Sequence, residues 1–338
     1  MKLTWFKASA AILALFCGTA FAANTAVPGT LNYVEGQASI GNQALSSKSV
    51  GATELQPGQV LSTDNGKAEV LLTPGVFLRL DDNTVAKMIS PSLTNTQIGL
   101  EKGRAMIEVD EIHRGNDLQV KQGDATTRLM KTGLYQFDAN TDKVAVYKGE
   151  AQVLDNDKKV KVKGGHELAL NDPSLKTHKF DKDEFKQDEL YKWSNLRSSY
   201  LAEANADQAR YVVNNWYGNP GWFGSGWYWN PYFAAYTFIP GGGMFYNPFG
   251  WGYYSPLYVY SAPYYGYRPA VTGNRGTAVT VPRPVAPRGA ATRVPSSPRV
   301  AAPRPSAIRP AAPSPRMGGF GGGFHGGAVH GSGSPAHR

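Results

Sequence analysis

The sequence has 338 residues and a formal net charge of +9, from 35 basic and 26 acidic side chains. The excess lies at one end, because residues 268–338 contain ten Arg, no Lys and no acidic residue. The preceding 267 residues are close to neutral, so the average charge is no guide to the surface of that larger part.

Residues 1–22 have the pattern of a secretory signal peptide. Lys2 and Lys7 supply a positive start, residues 8–16 form a short apolar run, and residues 20–22 (Ala-Phe-Ala) form a cleavage site. The apolar run is shorter than the roughly 20 residues that a membrane-spanning helix needs. We therefore expect export to the periplasm, the outer membrane or the outside of the cell, with no membrane-spanning segment after cleavage.

A lipoprotein would use Cys17 as its lipidated residue, but the preceding residue, Phe16, is not small. With cleavage after Ala22, the mature chain contains no cysteine. Such a chain cannot have disulfides, thiolate metal ligands or a cysteine nucleophile.

Residues 29–172 show the period-two alternation of strands, interrupted by turn-forming residues. The clearest alternation puts Val76, Leu78 and Leu80 on one face of a strand, with Phe77 and Arg79 on the other. The predicted turns are at 64–66, 81–83, 114–117 and 155–157. The pattern predicts a mainly β domain of short stacked hairpins, as a β-sandwich or a β-roll, that folds without the rest of the chain.

A short motif recurs in this domain: a glycine, one variable residue, an alanine and, two residues later, a β-branched residue. Its four glycines are Gly36, Gly66, Gly103 and Gly149. Glycine adopts positive φ at the lowest cost, so each copy predicts a tight reversal that leads into a strand.

Residues 180–215 change to helical spacing. Asp181 and Glu184 resemble a capping box, with Asp in place of Ser or Thr. Apolar residues then recur at steps of three and four, which predicts an amphipathic helix of about eight turns, continuous or broken, whose apolar stripe could lie on the β domain. The predicted stripe consists of Leu190, Trp193, Leu196, Tyr200 and Ala204.

Residues 216–267 contain 22 aromatic residues, ten Gly and no charged residue. Frequent Gly and Pro exclude a regular helix. So much apolar surface without charge predicts that the segment docks or self-associates. The rings could also stack on carbohydrate, and the alternative is that they pack only on each other and on the β domain.

Residues 268–338 are of low complexity, rich in Pro, Arg and Gly, and are predicted to be disordered. Their arginines could bind anionic envelope glycans or lipids through counterion release, or could simply keep the chain soluble. Export makes nucleic acid an unfavourable partner. Envelope proteins remain candidate partners for the β domain and the aromatic segment.

No residue pattern predicts a catalytic, cofactor-binding or metal site. The histidines are scattered in sequence: His113, His166, His178, His325, His330 and His337. Asp110 and Glu111 near His113 could form an acid–base group, but a polar strand end is the simpler interpretation. Residues 138–142 space three oxygen ligands like the start of a calcium loop, yet lack its later Gly and Glu, which favours a plain hairpin turn.

Several phrases, taken in order, resemble the FecR domain family over residues 29–155. They lie at 29–36, 55–63, 66–70, 74–80, 100–103, 132–135 and 146–149. The best-known members of the family are periplasmic regulators of iron-dicitrate uptake. The resemblance implies a β-rich binding domain without catalysis. Departures from the regulators, above all a cleavable signal in place of a sigma-factor-binding segment and a membrane helix, leave signalling open.

Three functional hypotheses follow. The main one is a non-enzymatic binding or scaffolding module of the bacterial cell envelope. The first alternative is a periplasmic regulatory sensor that works with separately encoded sigma-factor and receptor partners, and the second is a structural or adhesive envelope protein.

Overall fold

The computed structural model describes residues 26–156, 158–215 and 224–262. The predicted signal peptide and the predicted disordered tail lie outside these residues. The described chain is mainly β, as predicted: one large mixed sheet, nearly closed into a barrel, is followed by one long helix and two small hairpins. Among the described residues, no helix is long and apolar enough to cross a membrane.

The large sheet has 15 strands. They are β1 (Leu31–Ile40), β2 (Gln43–Ala44), β3 (Val60–Leu71), β4 (Val76–Leu80), β5 (Thr84–Ser92), β6 (Asn95–Lys102), β7 (Arg104–Val109), β8 (Leu118–Gln122), β9 (Ala125–Leu129), β10 (Gly133–Asp138), β11 (Lys143–Lys148), β12 (Glu150–Asp155), β13 (Lys158–Lys163), β14 (His166–Ala169) and β15 (Thr177–Lys179).

The main path of the sheet runs β13-β12-β9-β8-β6-β5-β3-β4-β7-β10-β11-β14-β15, and β1 pairs with β2 and β3. The pair β6–β8 is parallel and the other pairs described are antiparallel. The path has two halves. Strands β5, β6, β8, β9, β12 and β13 form one, and β4, β7, β10, β11, β14 and β15 form the other.

The two halves enclose one apolar core. Leu78 and Ile107 come from the second half, and Met88, Val120 and Val153 from the first, yet all five belong to the same buried cluster. Alternation predicted these inward positions correctly, because successive strand residues point to opposite faces of a sheet.

The four recurrent glycines lie at corners, where the chain bends and passes from one half of the sheet to the other. The prediction of tight reversals at these positions is therefore wrong. Strands β6 and β7, which Gly103 joins, do not pair with each other, and neither do β11 and β12, which Gly149 joins. Gly36 and Gly66 face each other where β1 and β3 bend within one pair. The predicted turn at 64–66 is this bend, so the chain continues into the other half instead of folding back.

The predicted helical segment forms two helices. Helix α1 (Lys182–Phe185) starts at Asp181, whose side chain accepts a hydrogen bond from the Asp183 amide. Helix α2 (Glu189–Asn214) starts at Asp188, whose side chain accepts from the Tyr191 amide. Carboxylates are favoured N-caps because they satisfy free backbone N–H groups.

The aromatic segment forms β16 (Gly226–Asn230), β17 (Ala235–Ile239), β18 (Met244–Tyr246) and β19 (Gly252–Tyr254), paired as two hairpins, and then a 3₁₀ helix (Pro256–Ser261). We call α2 together with residues 224–262 the cap. It packs on the outer side of β3, β4 and β7, where Leu71 and Phe77 contact a cluster that includes Leu201, Trp227 and Phe238. Over the described residues, the predicted docking of the aromatic segment is confirmed.

The predicted stripe of α2 is only partly correct. Leu190 and Ala204 are buried, but Leu196 is 39 % exposed, and the buried face instead includes Arg197, Ser198 and Asn205. The reason lies in the surface beneath the helix, because that part of the sheet presents charged side chains as well as apolar ones.

Candidate functional site

A buried charge cluster lies under the cap, on the outer side of β3, β4 and β7. Glu69 and Arg79 face each other across the β3–β4 pair, and Arg79 Nε donates to Glu69 Oε2 at 2.7 Å. Arg79 Nη1 donates to Glu108 Oε2 on β7 at 2.6 Å. All three side chains are fully buried. These charges alternate with inward apolar residues, so the same pattern that fills the core also places them here.

The cap completes this cluster. Arg197 of α2 donates to Glu69 Oε1 at 3.0 Å, and its guanidinium lies 3.9 Å from the centre of the Tyr33 ring. Ser198 Oγ and Asn247 Nδ2 donate to Glu108 Oε1 at 2.8 and 2.6 Å. Two arginines therefore balance two glutamates, and each carboxylate receives further hydrogen bonds from the cap.

Asn32 of β1 joins the sheet to the aromatic hairpins. Its Nδ2 donates to Glu69 Oε1 at 2.9 Å and to the Tyr236 carbonyl at 3.0 Å, while its Oδ1 accepts from the Tyr236 amide at 2.7 Å. Asn205 of α2 also binds the backbone of the aromatic hairpins. It donates to the carbonyls of Phe238 and Tyr254 and accepts from the Tyr254 amide. These amides satisfy hairpin backbone groups that water cannot reach.

A second ion-pair group holds the start of α2. Arg104 pairs with both Asp81 and Asp188, and Lys67 also pairs with Asp81. This group is more exposed than the first, so solvent screens it more strongly.

The charges of the cluster lower the pKa of its acid Glu69 and raise the pKa of its base Arg79. Burial by itself raises the pKa of Glu69, but the adjacent Arg197 and Arg79 outweigh burial and leave that pKa lowered. Burial likewise lowers the pKa of Arg79, and Glu108 and Glu69 more than reverse it, leaving it raised. Both groups therefore stay ionised at neutral pH.

Asp110 lies beside this cluster without a cation of its own. Burial, reinforced by the charge of Glu108, raises the pKa of Asp110 well above its usual range. Burial and the nearby Asp110 and Glu108 also raise the pKa of the Tyr253 hydroxyl. Among the described residues, the Tyr253 hydroxyl has no hydrogen-bond partner.

The cluster attaches the cap to the sheet, and its side chains are not accessible to a substrate in solvent. Its carboxylates are fully buried and engaged by arginine, so neither can act as a general acid or base for a molecule in solvent. Removing one partner of such a buried pair typically costs several kcal/mol, because the other charge remains buried without compensation.

The acid–base group considered from sequence does not assemble. The Asp110 side chain is buried under the cap, whereas Glu111 and His113 lie at the surface, with 3.5 Å between Glu111 Oε1 and His113 Nε2. Glu111 also accepts a hydrogen bond from Ser225 Oγ. The interpretation as a polar strand end is correct for Glu111 and His113. It is wrong for Asp110, which is buried.

Residues 138–142 form the β10–β11 hairpin turn, as predicted. Asp138 Oδ1 accepts hydrogen bonds from the backbone amides of Asn140 and Thr141, and Asp142 adopts positive φ. His166 and His178 lie on neighbouring strands β14 and β15, and the three C-terminal histidines lie outside the described residues. Across the described ranges, no group of three or more His, Cys, Asp or Glu could hold a metal ion.

The rings of the aromatic segment divide into two groups. Trp227, Phe238 and Tyr253 are buried, and Trp227 makes edge-to-face contacts with Phe77 and Phe238 at 5.0 and 5.9 Å. Tyr232 and Tyr246 are instead largely exposed. Packing on the β domain therefore accounts for the buried rings.

The charge cluster was not predicted from the sequence. The signal was present as single charges inside apolar runs: Glu69 before Val70, Arg79 between two leucines, and Glu108 after Ile107. A charge at such a position indicates either an exposed strand face or a buried pair, and the sequence alone does not distinguish them. Recognising the pair requires the register of β3, β4 and β7.

Residues 59–152 match the model of the protein family described as FecR protein. The chain carries a FecR domain. The matched range begins one residue before β3 and ends within β12, so it contains Glu69, Arg79 and Glu108 but no part of the cap. The FecR domain thus supplies the sheet side of the charge cluster, and the sequence after it supplies Arg197, Ser198 and Asn247.

Two crystal structures of a "putative anti-sigma factor" from Parabacteroides distasonis ATCC 8503 are similar to this chain, at 16 % and 15 % identity. Each match covers 38 % of this chain and 62 % of the other, with a TM-score of 0.33. The match thus spans about three fifths of those proteins, and its TM-score is too low for fold or function to be transferred. No curated protein matches the sequence.

Proposed function

We propose that this protein is an exported, non-enzymatic binding module that acts in envelope regulation together with separately encoded partners. The observation that carries the proposal is the FecR family match over residues 59–152. The best-known proteins with this domain regulate from the periplasm, so the match favours the regulatory alternative over a purely structural role.

The geometry supports a binding role in a second way. The cap buries one half of the outer sheet surface and ties it down through Arg197, Ser198 and Asn247. The other half carries no part of the cap and presents polar and basic side chains. A partner or ligand of the FecR domain would then meet this uncovered half.

Transcript profiling tests the regulatory role. Deleting the gene should change the transcripts of a defined regulon, and the wild-type gene should restore them. A gene encoding Gly103→Val, which cannot form the corner before β7, should not restore them. An envelope defect without any change in transcripts would contradict regulation and favour a scaffolding or structural protein.

Export is tested separately by mass spectrometry of the mature N-terminus. Cleavage after Ala22 should leave a protein that begins at Ala23. A chain that retains Met1, or one that carries lipid on Cys17, would contradict the proposed route.

A further inference from the structure

The uncovered half of the sheet presents one continuous outer surface, which we call the open face. It consists of outward side chains of β5, β6, β8, β9, β12 and β13. Their inward neighbours, such as Met88, Val120 and Val153, belong to the core. Register pairs align the outward residues in two rows that cross six strands.

The first row carries three lysines. It consists of Lys87, Gly99, Lys121, Thr126, Leu154 and Lys159, each paired in register with the next. Lys121 and Lys159 are exposed and Lys87 is half-buried. Among the described residues, none of these three lysines forms an ion pair, so their charges are available.

The second row contains three glutamines, of which Gln97 and Gln119 each donate one hydrogen bond, to Asn95 Oδ1 and Asp117 Oδ2. It consists of Ser90, Gln97, Gln119, Arg128, Gln152 and Lys161, again paired in register from strand to strand. Arg128 pairs with Asp117 at 2.8 Å and Lys161 with Glu150 at 3.0 Å. The two rows therefore hold five basic side chains against these two carboxylates. Exposed Glu101, two positions from Gly99 on β6, and exposed Asp124, at the tip of the β8–β9 hairpin, add two more carboxylates nearby.

The chemistry of the open face favours a polysaccharide over a protein partner. The exposed large apolar side chains of its strands are Leu154 and Ile89, Leu93 and Met130 lie exposed at its edges, and neither row contains an aromatic residue. Stable protein interfaces are usually centred on buried aromatic or apolar anchors. Glutamine amides can both donate and accept hydrogen bonds, as sugar hydroxyl groups do, and ammonium groups complement carboxylates.

We propose that the open face binds an acidic polysaccharide laid across the strands. The lysines of the first row contact its carboxylates, and the glutamines of the second row bond its hydroxyl groups. Six strands at the usual spacing give a contact line of about 24 Å. This inference rests on the proposed binding role and names the class of ligand.

Lysine footprinting on the mature full-length protein tests the site directly. Amine acetylation is measured by mass spectrometry with polygalacturonate, with uncharged dextran or with duplex DNA. Polygalacturonate should protect Lys87, Lys121 and Lys159, while Lys48, Lys186 and Lys192, which lie elsewhere, keep their reactivity. The Arg-rich tail has no lysine and therefore contributes no signal.

Two outcomes would overturn the proposal. Equal protection of both lysine sets would indicate diffuse attraction without a site. Equal protection by DNA at matched charge would indicate a general polyanion surface. If the regulon responds to gene deletion while the first-row lysines stay unprotected, the ligand assignment fails and the proposed regulatory role stands.

Binding measurements with two charge-matched variants complete the test. Lys87→Gln, Lys121→Gln and Lys159→Gln together should weaken polygalacturonate binding by roughly tenfold or more at moderate salt, since three charge contacts are lost. The control with Lys48→Gln, Lys186→Gln and Lys192→Gln has the same net charge and should bind within about twofold of wild type. Equal weakening in both variants would refute a defined site.

Discussion

Gly58 and Gly103 have nearly the same backbone angle, with φ of +82° and +79°, but different surroundings. A Cβ atom on Gly58 would meet nothing within 4 Å, whereas one on Gly103 would lie 2.3 Å from Thr84 Oγ1 and 2.6 Å from Thr84 Cα. At Gly103, both the positive φ and the close approach of Thr84 disfavour a side chain. At Gly58, only the positive φ does.

This difference makes a paired prediction. Gly58→Ala should lower the free energy of unfolding by about 1 kcal/mol, the usual cost of positive φ for a residue with Cβ. Gly103→Ala should cost about 3 kcal/mol or more, because the neighbouring backbone must also move. Urea unfolding of both variants measures the difference. Equal losses would show that the corner tolerates a side chain.

Asp110 predicts a pH dependence of opposite sign to that of an ion-paired acid. Its folded pKa is raised, so between the unfolded and folded values the folded protein holds a proton that the unfolded chain has lost. Stability therefore falls as pH rises through this window. Asp110→Asn removes the titration, so it should change Tm little near pH 4 and raise it increasingly towards neutral pH.

The control for this experiment is Asp124→Asn, which removes the same charge from an exposed hairpin tip. Thermal melts of wild type and both variants across pH 4–8 separate the local effect from the change in net charge. If Asp110→Asn and Asp124→Asn gave parallel curves, the burial of Asp110 would have no energetic consequence.

At the scale of elements, α2 shows how a partner surface decides which helix face is buried. Spacing alone placed Leu196 in the buried stripe, yet Leu196 is exposed and the adjacent Arg197 is buried. Glu69 requires a second cation, and Arg197 supplies it at 3.0 Å. An amphipathic pattern assumes an apolar partner, and here the partner is a surface of three strands, β3, β4 and β7, that carries two buried carboxylates.

Hydrophobicity alone suggests that Leu196 matters more for stability than its neighbour Arg197. Substitutions at the two positions should show the opposite order. Arg197→Ala should destabilise the protein by about 3 kcal/mol, because Glu69 stays buried with one of its two cations removed. Leu196→Ala should change stability by less than about 0.5 kcal/mol, as is usual at exposed positions. Chemical denaturation of the two variants provides the measurement, and a larger loss for Leu196→Ala would mean that the helix lies on its other face.

At the scale of the whole molecule, local periodicity predicted the mainly β class, the inward strand positions and the existence of the helix. It did not predict the features that depend on which distant segments of the chain pair. Whether the chain reverses or turns a corner at Gly103 depends on which strands β6 and β7 pair with, and both choices need a glycine of positive φ. The charge cluster likewise joins residues 128 positions apart, Glu69 and Arg197, which no local pattern connects.

Truncation after residue 180 tests how the sheet and the cap depend on each other. Every member of the inner core lies before this point, so the shortened chain should keep a β-type circular dichroism spectrum and a cooperative melt. It would, however, expose Leu71, Phe77, Met106 and Leu134, which the helices and hairpins now bury. An apolar patch of that kind favours association, so a lower Tm and oligomers in light scattering are expected.

Phe77→Ser separates the two effects, because it should destabilise the full chain strongly but should mainly reduce the self-association of the truncated chain. In the full chain it removes the edge-to-face contact with Trp227 and should cost about 3 kcal/mol or more. In the truncated chain the same ring is exposed, so its replacement should cost little stability and should reduce oligomer formation. If the truncated chain were monomeric and melted at the full-length Tm, the cap would contribute nothing to the fold. Glu69 and Glu108 would then need only their partners on the sheet, Arg79 and Asn32.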